Sequence, residues 1–316
     1  MARKIGEYIA IALKGCAMGA ADVVPGVSGG TIAFISGIYE ELIASIKSVD
    51  LEAFKMLFSC RFKDFWAKVN GNFLMAVMCG VAISIVSLSK IMTYLLANHP
   101  IMIWSFFFGL IIASAILVFK EVRNFNLLSA VSIIAGAVIA YMITVISPSQ
   151  TPNDWWFILL CGAIAICAMI LPGISGSFLL LLLGKYQYIL SALSDFNIPV
   201  IALFIAGAAI GIILFSHLLS FLLKNFHTAT ISLLTGFMIG SLNKVWPWKE
   251  TLQSTANSHG ELVALVERNI LPSEFEAING QSSLFIYAIA MVIVGFFTIY
   301  AIEKVGAKMK QNSLNN

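Results

Sequence analysis

Two short stretches of this sequence combine a Pro-Gly pair with serine, threonine and further glycines. They are residues 25–31 (Pro-Gly-Val-Ser-Gly-Gly-Thr) and residues 172–177 (Pro-Gly-Ile-Ser-Gly-Ser). Proline and clustered glycines end a helix, and a serine can cap the helix that follows. The N-terminus of that helix offers N–H donors and partial positive charge, so each stretch suits an anion such as phosphate. The expected anion ligands are Ser28, Gly29, Gly30, Thr31, Ser175, Gly176 and Ser177.

The composition determines which elements must position these stretches. Of 316 residues, 59% are hydrophobic and only 11% are charged, and the mean hydropathy is +0.93. A soluble domain carries about 25% charged residues. The composition therefore excludes a soluble enzyme, a nucleic-acid-binding domain and a disordered chain, and the net charge of +3 indicates no polyanionic partner. We expect an all-α integral membrane protein.

Eight apolar segments could enter a bilayer. Two of them, 6–44 and 156–193, are nearly twice the length of one span, and each contains one Pro-Gly stretch near its centre. Such a segment could cross once as a kinked helix or enter and return as a hairpin. The other six have roughly the length of a single span, about 20 residues. These six are 73–97, 101–119, 127–147, 199–223, 228–243 and 283–302.

The lysines and arginines decide between these topologies, because cytoplasmic loops carry the excess of basic residues. With two hairpins and a cytoplasmic N-terminus, 13 basic residues lie inside and 3 lie outside (Lys244, Lys249 and Arg268). If each long segment crosses once, the same loops split 6 to 10. We therefore predict two hairpins and six full spans, with both termini cytoplasmic. Two short complete spans per hairpin would give the same sidedness.

The two long segments belong to an internal repeat. A shift of 127 residues aligns residues 80–117 with 207–244 without a gap. Each copy, residues 1–147 and residues 148–316, is then one hairpin followed by three spans, so the second copy is expected to be inverted. Inverted repeats with broken helices near the membrane centre are typical of secondary transporters and predict alternating access. In the hairpins, a shift of 147 residues superimposes Pro25 and Pro172, Gly26 and Gly173, Ser28 and Ser175, Gly29 and Gly176, Gly37 and Gly184, and Tyr39 and Tyr186.

Charged residues inside a membrane are costly and usually functional. Lys14, Lys90 and Lys185 are candidate cations for a bound phosphate. Asp22 lies close to the first Pro-Gly stretch, and His217 is equivalent to Lys90 in the repeat, so these two could instead carry a coupling proton. The structural alternatives are snorkelling of Lys14 and Lys185 to the interface, and an ion pair for Lys90 and Asp22.

Two loops have patterns of their own. Within the segment 47–72, the apolar residues of 50–69 recur at near-helical spacing between Lys55, Arg61, Lys63 and Lys68. This pattern predicts a basic amphipathic helix on the anionic cytoplasmic leaflet. The loop 244–282 is predicted to lie outside. A short interfacial helix is suggested there by Leu262, Leu265, Val266 and Ile270.

Residues 22–31 (Asp-Val-Val-Pro-Gly-Val-Ser-Gly-Gly-Thr) and 171–177 (Leu-Pro-Gly-Ile-Ser-Gly-Ser) resemble the two signatures of the bacterial polyprenyl-phosphate transporter family. The resemblance covers almost the whole chain. It implies translocation of undecaprenyl phosphate, the lipid carrier of cell-wall sugars, back to the cytoplasmic leaflet of the bacterial cytoplasmic membrane. The implied partners are this lipid and the surrounding membrane lipids. The long tail can stay in lipid while only the phosphate crosses, which agrees with the few internal charges.

Two other functions stay open. Undecaprenyl-pyrophosphate phosphatases resemble the chain in their inverted repeats and their Pro-Gly-x-Ser-Arg-Ser-Gly motif. Here Gly29 and Gly176 stand in place of the arginine, and no histidine lies near either stretch to activate a serine. We therefore expect transport, driven by an ion gradient, and no catalysis. A secondary transporter of a small anion is the third possibility.

Metal and cofactor chemistry finds no support in the sequence. The five cysteines form no Cys-x-x-Cys pair. The four histidines (His99, His217, His227 and His259) lack i, i+4 pairing. We expect no metal, no cofactor and no nucleic-acid partner, and the sequence does not indicate an oligomeric state.

Overall fold

The computed structural model of the protein describes residues 3, 5–22, 28–122, 125–146, 151–256 and 262–314. Within these ranges, some side chains are outside the description: those of residues 51, 86, 88–90, 92, 93, 97, 190, 194, 255, 256, 262–265, 302, 303 and 305–314. Pro25 and Gly26 of the first stretch lie outside the described residues, which resume at Ser28. The second stretch is described throughout.

The described chain is mostly helical and contains one pair of strands. The elements in order are α1 (Ile5–Asp22), α2 (Gly29–Ile35), α3 (Tyr39–Lys47), α4 (Leu51–Phe58), α5 (Phe62–Lys68), α6 (Gly71–Asn98), α7 (Pro100–Lys120), α8 (Leu127–Val145), α9 (Trp155–Ile170), α10 (Gly176–Leu182), α11 (Tyr186–Ser194), α12 (Ile198–Asn225), α13 (His227–Ser241), β1 (Lys249–Ala256), β2 (Leu262–Asn269), α14 (Pro272–Asn279) and α15 (Phe285–Leu314).

Several of these helices can cross a membrane. In the described ranges α7, α8 and α12 are long and apolar enough, and the count rises to five if each of two bent helix pairs is one span. One of these pairs is α10 with α11, bent by 112°. Each apolar segment predicted from the sequence contains helix, in agreement with a multi-pass membrane protein. The number of six full spans stays a prediction.

The helix bounds recur with the spacing of the sequence repeat. α2 and α10 begin and end 147 residues apart, and so do α3 and α11. α6 and α12 are related in the same way by 127 residues. The turns from α2 to α3 and from α10 to α11 also match, because Gly37 (φ 72°) and Gly184 (φ 62°) both adopt the left-handed conformation that favours glycine.

Close contacts at glycine join α1 to α6 and α9 to α12. A Cβ on Gly80 would collide with the carbonyl of Ala12, and a Cβ on Gly207 would collide with the carbonyl of Leu159. The two contacts are equivalent under the repeat shifts. Small residues let helix backbones approach closely, which stabilises helix pairs in lipid by van der Waals packing.

The remaining long helices pair between the two halves of the chain. α7 packs along α15, where a Cβ on Gly109 would collide with the carbonyl of Val292. α8 packs along α13, where a Cβ on Gly236 would collide with the carbonyl of Ile133. Each of these two helix pairs therefore consists of one helix from the first half and one from the second. The core lies around α2, α7 and α13, whose side chains are mostly buried.

The expected helix at residues 262–270 is wrong, while the fold as a whole is mostly helical, as the fold class predicts. Residues 262–269 form β2, which pairs antiparallel with β1. The spacing of Leu262, Val266 and Ile270 fits a helix. However, Thr251 and Thr255 in β1 favour an extended chain, and pairing satisfies the main-chain groups of both strands. A short helix, α14, follows the strands at Pro272.

The amphipathic segment is helical, but it is not one helix. α4 ends at Phe58 and α5 begins at Phe62, with Cys60 at φ 56° between them. Phe58 and Phe62 are 84% and 60% exposed, so the apolar face is open to the surroundings. The position of this face on the cytoplasmic leaflet stays a prediction.

Candidate functional site

The first tip, which we define as residues 28–31, is the start of α2. Ser28 precedes the helix in an extended conformation, and its Oγ accepts a hydrogen bond from the N–H of Gly30 at 3.1 Å. Asp22, the last residue of α1, accepts the N–H of Gly29 through Oδ1 at 2.7 Å. A Cβ on Gly29 would collide with this carboxylate. The first donors of α2 are thus satisfied by a hydroxyl and a carboxylate of the chain itself.

The first tip lies on the C-terminal end of α9. The Oγ of Ser28 donates to the carbonyl of Met169 at 2.9 Å, and a Cβ on Gly30 would collide with the carbonyl of Ile170. The start of α2 carries partial positive charge and the end of α9 partial negative charge, so their contact is electrostatically favourable. Residues 28–31 are all buried.

The second tip, residues 171–177, contacts the first tip directly. The Oγ1 of Thr31 accepts the N–H of Gly173 at 3.0 Å. Gly173 has φ 86°, and a Cβ there would lie 2.9 Å from the main chain of Phe237 in α13. The structure therefore brings the two Pro-Gly stretches into contact. The contact of the first tip is with residues 169–173 rather than with Ser175 or Ser177.

The start of α10 differs from the start of α2. Ser175 precedes α10 without a side-chain cap, and its Oγ forms a hydrogen bond with the Oγ of Ser177 at 2.9 Å. The residue equivalent to Asp22 in the second copy is Met169, which carries no charge. In the described hairpins, only α2 has an anionic side chain at its first N–H groups. The start of α10 is thus the place where an added anion would meet no competing carboxylate.

Lys14 lies at the other end of α2. Its Nζ donates to the carbonyl of Ser36, the residue that ends this helix, at 2.7 Å. α2 has seven residues, so the ammonium group lies about 10 Å along the helix from the first tip. A cation at a helix C-terminus stabilises the free carbonyls there. The structure therefore does not bring Lys14 to the first tip.

Lys185 occupies the comparable position after α10. It is 3% exposed, and its Nζ donates to the carbonyl of Thr151 at 2.6 Å and to Oδ1 of Asn153 at 2.7 Å. The ring centroids of Phe157 and Tyr188 lie 5.8 and 5.7 Å from the same nitrogen. Lys185 thus joins the segment before α9 to the turn after α10 by hydrogen bonds. Its ammonium group is directed to that segment and not to the start of α10.

For Lys90 and His217 the structure describes fewer contacts than for Lys14 and Lys185. Lys90 lies in α6, and its side chain is outside the described residues. His217 is exposed on α12, where its Nδ1 donates to the carbonyl of Ile213 at 2.8 Å. This contact stays within α12. In the described part of the chain, no group of three or more His, Cys, Asp or Glu side chains is placed to hold a metal ion.

A cavity of about 340 Å³ lies beside α10, and the sequence did not indicate it. We call it the basic cavity. Its walls come from the end of α8, from α10, from the turn after α13 and from the two strands, and they include Lys244, Lys249 and Glu267. The sequence placed both lysines in an outer loop. The available signal was their position on either side of Trp246 and Trp248, two residues typical of a membrane interface.

Comparison with known proteins identifies relatives of the chain. Residues 18–263 match the family described as undecaprenyl phosphate translocase-like. A polyprenyl-phosphate transporter of Vibrio cholerae is 45% identical over 308 residues, which cover 98% of this chain and 100% of that protein. A polyprenyl-phosphate transporter of Staphylococcus aureus is 35% identical over 253 residues, 74% of this chain and 85% of that protein. No solved structure matches. With its two Pro-Gly stretches in direct contact and similarity of this extent, the chain belongs to the undecaprenyl phosphate translocase-like family.

Proposed function

We propose that the protein translocates undecaprenyl phosphate across the bacterial cytoplasmic membrane and so returns the lipid carrier to the cytoplasmic leaflet for cell-envelope synthesis. Two relatives that are 45% and 35% identical are named polyprenyl-phosphate transporters. The observation that carries the proposal is the contact of the first tip with the end of α9 and with the second tip, through Ser28 with Met169 and Thr31 with Gly173. This contact places the start of α2 against the turn that precedes α10, where both Pro-Gly stretches contribute small residues.

In this proposal the phosphate binds between the tips while the isoprenoid tail stays in lipid. Ser175, Gly176 and Ser177 supply the first ligands, because the start of α10 has no capping side chain. Ser28, Gly29, Gly30 and Thr31 join once the tips separate and Asp22 releases the N–H of Gly29. Lys14 and Lys185 would reach the phosphate only after leaving their carbonyl partners. These two lysines therefore act in a conformation other than the one described, and Lys90 is proposed as the third cation.

The two copies of the repeat are proposed to be inverted and to give alternating access. Helix pairs of the two copies match in position, and the pairs α7–α15 and α8–α13 join one copy to the other. A state open to one side therefore has a counterpart open to the other side. We propose that an ion gradient drives the cycle, with Asp22 and His217 as candidates for the coupling group.

The proposed orientation places both termini in the cytoplasm and the strands β1 and β2 outside. It rests on the bias of lysine and arginine toward one set of loops. An impermeant maleimide added to intact cells should label a cysteine at position 274, in α14, and should spare one at position 63, in α5. Labelling of both positions after permeabilisation is the control, and the reverse pattern in intact cells would reject the orientation.

Hydrolysis of the lipid pyrophosphate is the competing function. The described partner of Ser28 is the carbonyl of Met169, and that of Ser175 is the hydroxyl of Ser177. Neither partner is a general base that could activate a serine nucleophile. We therefore propose transport without cleavage. Phosphate release from undecaprenyl pyrophosphate by the purified protein at enzymatic rates would overturn it.

The deciding experiment is a leaflet-resolved assay in proteoliposomes. Undecaprenyl phosphate is incorporated in both leaflets, and a soluble phosphatase is added outside, so that only outer-leaflet lipid is cleaved. We expect cleavage to stop near half in empty liposomes and to approach completion with the protein. The assay is repeated with an imposed pH gradient to test coupling.

Substitutions at the tips test whether this site is responsible for the lipid exchange that the assay measures. Thr31→Val and Ser175→Ala should slow exchange about tenfold or more, because each removes a hydroxyl from the contact region or from the start of α10. Ser87→Ala is the matched control, since Ser87 is exposed and bonds only within α6. Exchange at wild-type rates in both variants would reject this site. Uptake of inorganic phosphate into the liposomes would favour the small-anion transporter instead.

A further inference from the structure

The basic cavity is separate from the two tips and contains cations that the proposed site does not use. We propose that it binds the phosphorylated headgroup of the lipid substrate at the membrane surface, before the phosphate moves to the tips. The identity of the ligand rests on the proposed function. The existence of a site for an alkyl phosphate rests on the geometry of the cavity alone.

The charges of the cavity favour an anion. The Nζ atoms of Lys244 and Lys249 lie 2.9 and 3.2 Å from the same oxygen of Glu267, so two cations share one carboxylate. A fourth charged wall residue, Arg268, is already paired with Glu250 at 2.8 Å and with Glu274 at 3.0 Å. At the lysines themselves, two ammonium groups against the one carboxylate of Glu267 leave a local excess of one positive charge, which a phosphate would compensate.

Burial and the neighbouring charges shift the pKa of Lys249 and of Glu267, and these pKa values define the pH at which the two groups are charged. Burial lowers the pKa of Lys249 to about 8, although Glu267 acts in the opposite direction. Burial alone would raise the pKa of Glu267, but the two ammonium groups hold it below its usual value. Below pH 8 Lys249 is thus mostly protonated. A desolvated ammonium group interacts more strongly with a bound anion than an exposed one.

Aromatic rings hold both ammonium groups in place. Lys244 lies 4.6 Å from the ring centroid of Phe178, and Lys249 lies 4.6 Å from that of Trp104. Lys249 also donates to the carbonyl of Lys244 at 2.8 Å. Side chains that are already ordered lose little further entropy on binding, so the pair is preorganised for a phosphate.

One wall of the cavity is apolar and open to the side. It includes Tyr141, Val145 and Ile146 at the end of α8, each about half exposed. Phe178 and Leu182 of α10 continue this wall. A charged wall facing an apolar wall suits an amphiphile, whose phosphate meets the lysines while its first isoprene units lie along α8.

The depth of the cavity fits a lipid headgroup. Trp246 donates its indole N–H to the carbonyl of Ile270 at 2.9 Å, and Trp248 donates to that of Ser283 at 2.8 Å. These bonds join the turn after α13 to the segments before α14 and α15. Amphipathic tryptophans are enriched at membrane interfaces. The lysines beside them are therefore placed at the level of the phosphates of the bilayer.

The cavity lies next to the proposed path of the phosphate. Phe178, which contacts Lys244, lies in the first turn of α10, one helical turn from Ser175. One turn is about 5.4 Å. A phosphate bound at Lys244 is therefore close to the second tip, and Phe178 separates the two positions.

The test measures binding of farnesyl phosphate, a short soluble relative of the lipid, to the purified full-length protein in detergent by calorimetry at pH 6.5. Lys244→Gln and Lys249→Gln should each weaken binding about tenfold or more, because each removes a charged donor. Lys224→Gln, the same change at an exposed site of α12, should have no effect. Farnesol and inorganic phosphate, which each lack one half of the ligand, should bind far more weakly.

A third variant gives the opposite expectation and guards against misfolding. Glu267→Gln removes the carboxylate with which a phosphate competes, so it should tighten binding several-fold. A purely structural role of the cluster would weaken binding in all three variants and would overturn the proposal, as would unchanged affinity in both lysine variants. The proposed function is tested separately by lipid exchange of the wild-type protein. If the wild-type protein exchanges no lipid but binds farnesyl phosphate in a lysine-dependent way, the transporter function is rejected and the cavity site is kept.

Discussion

At the residue scale, the carboxylate of Asp22 takes the place at the start of α2 where an anion would bind. It accepts the N–H of Gly29 at 2.7 Å, and the absence of a Cβ on Gly29 permits this approach. The second copy has Met169 at the equivalent position. The repeat is therefore asymmetric here: among the described residues of the two hairpins, a carboxylate caps the start of α2 and none caps the start of α10.

Asp22 is expected to stabilise the first hairpin through this hydrogen bond. Asp22→Ala should lower the free energy of unfolding by about 1–2 kcal/mol, because it leaves a buried main-chain donor unpaired. Asp22→Asn keeps an acceptor oxygen and should retain most of that stability. Thermal unfolding in detergent measures both variants. Equal losses in the two variants would mean that the charge, and not the hydrogen bond, stabilises the tip.

Tyr39 offers a test in which the substitution is expected to keep or raise the stability, in contrast to Asp22→Ala. It is 2% exposed, and among the described residues its hydroxyl has no hydrogen-bond partner. A buried unpaired hydroxyl costs free energy, so Tyr39→Phe should leave the stability unchanged or raise it by about 1 kcal/mol. Tyr186→Phe, at the equivalent and more exposed position, is the control and should be neutral. A clear loss of stability in Tyr39→Phe would reveal a partner of the hydroxyl.

The sequence identified two equivalent Pro-Gly stretches but not the positions of the cations. The stretches could be recognised because a shift of 147 residues superimposes them. Lys14 and Lys185 were expected near the phosphate, yet both bind carbonyls at the far ends of the half-helices. Such contacts depend on which carbonyls end up unpaired in three dimensions. A single sequence does not contain that information.

At the element scale, helix pairs are fixed by glycines that meet carbonyls of the neighbouring helix. Gly80 on Ala12 and Gly207 on Leu159 occupy equivalent positions in α6 and α12. In lipid there is no hydrophobic drive between helices, so close packing contributes most of the association.

Gly80→Ala and Gly207→Ala should each separate a helix pair and destabilise the protein by about 1–3 kcal/mol, since the added methyl group meets rigid main chain. The matched control is Gly6→Ala in α1, because a Cβ at Gly6 has nothing within 4 Å. This control should be neutral or slightly stabilising, as alanine favours helix. Unfolding midpoints in detergent compare the three variants, and a neutral result at both interface positions would contradict this view of the packing.

Hydropathy and the repeat predicted most helices, and local exceptions account for the rest. The strands β1 and β2 were missed because spacing at Leu262, Val266 and Ile270 suited a helix, while the strand partner lies several residues upstream. The break between α4 and α5 depends on the left-handed conformation of Cys60, which its residue type does not favour. Both errors concern segments where a neighbouring element decides the local conformation.

At the scale of the whole molecule, the two halves contact each other at the tips, through the long helix pairs α7–α15 and α8–α13, and through smaller contacts of α3 with α12 and of α7 with α13. Ser28 and Thr31 of the first half bond to Met169 and Gly173 of the second. Transport by alternating access requires that one of these joints opens. The tip contact consists of two hydrogen bonds and the close approach of Gly30 to Ile170, whereas the pairs α7–α15 and α8–α13 pack along whole helices.

A reversible cross-link between the tips should therefore stop transport. In a cysteine-free background, Ser28→Cys and Met169→Cys are joined by a short bifunctional thiol reagent with a cleavable link. We expect lipid exchange to fall to the level of empty liposomes and to recover after cleavage. The control joins positions 254 and 264, which face each other across β1 and β2 and should tolerate the link. Undiminished exchange with cross-linked tips would show that the tips need not part.

The helix pairs α7–α15 and α8–α13, which each form between the two halves, also determine an order of assembly during synthesis. α1 can pair with α6 early, whereas α8 must wait for α13 and α7 must wait for α15. α7 ends at Lys120 and α15 begins at Phe285. At about 5–20 residues per second, the face of α7 around Gly109 stays without its partner for roughly 10–30 s. A ribosome that stops between α8 and α13 leaves a chain in which α7 and α8 both lack their partners in the bilayer, so the first half cannot mature on its own.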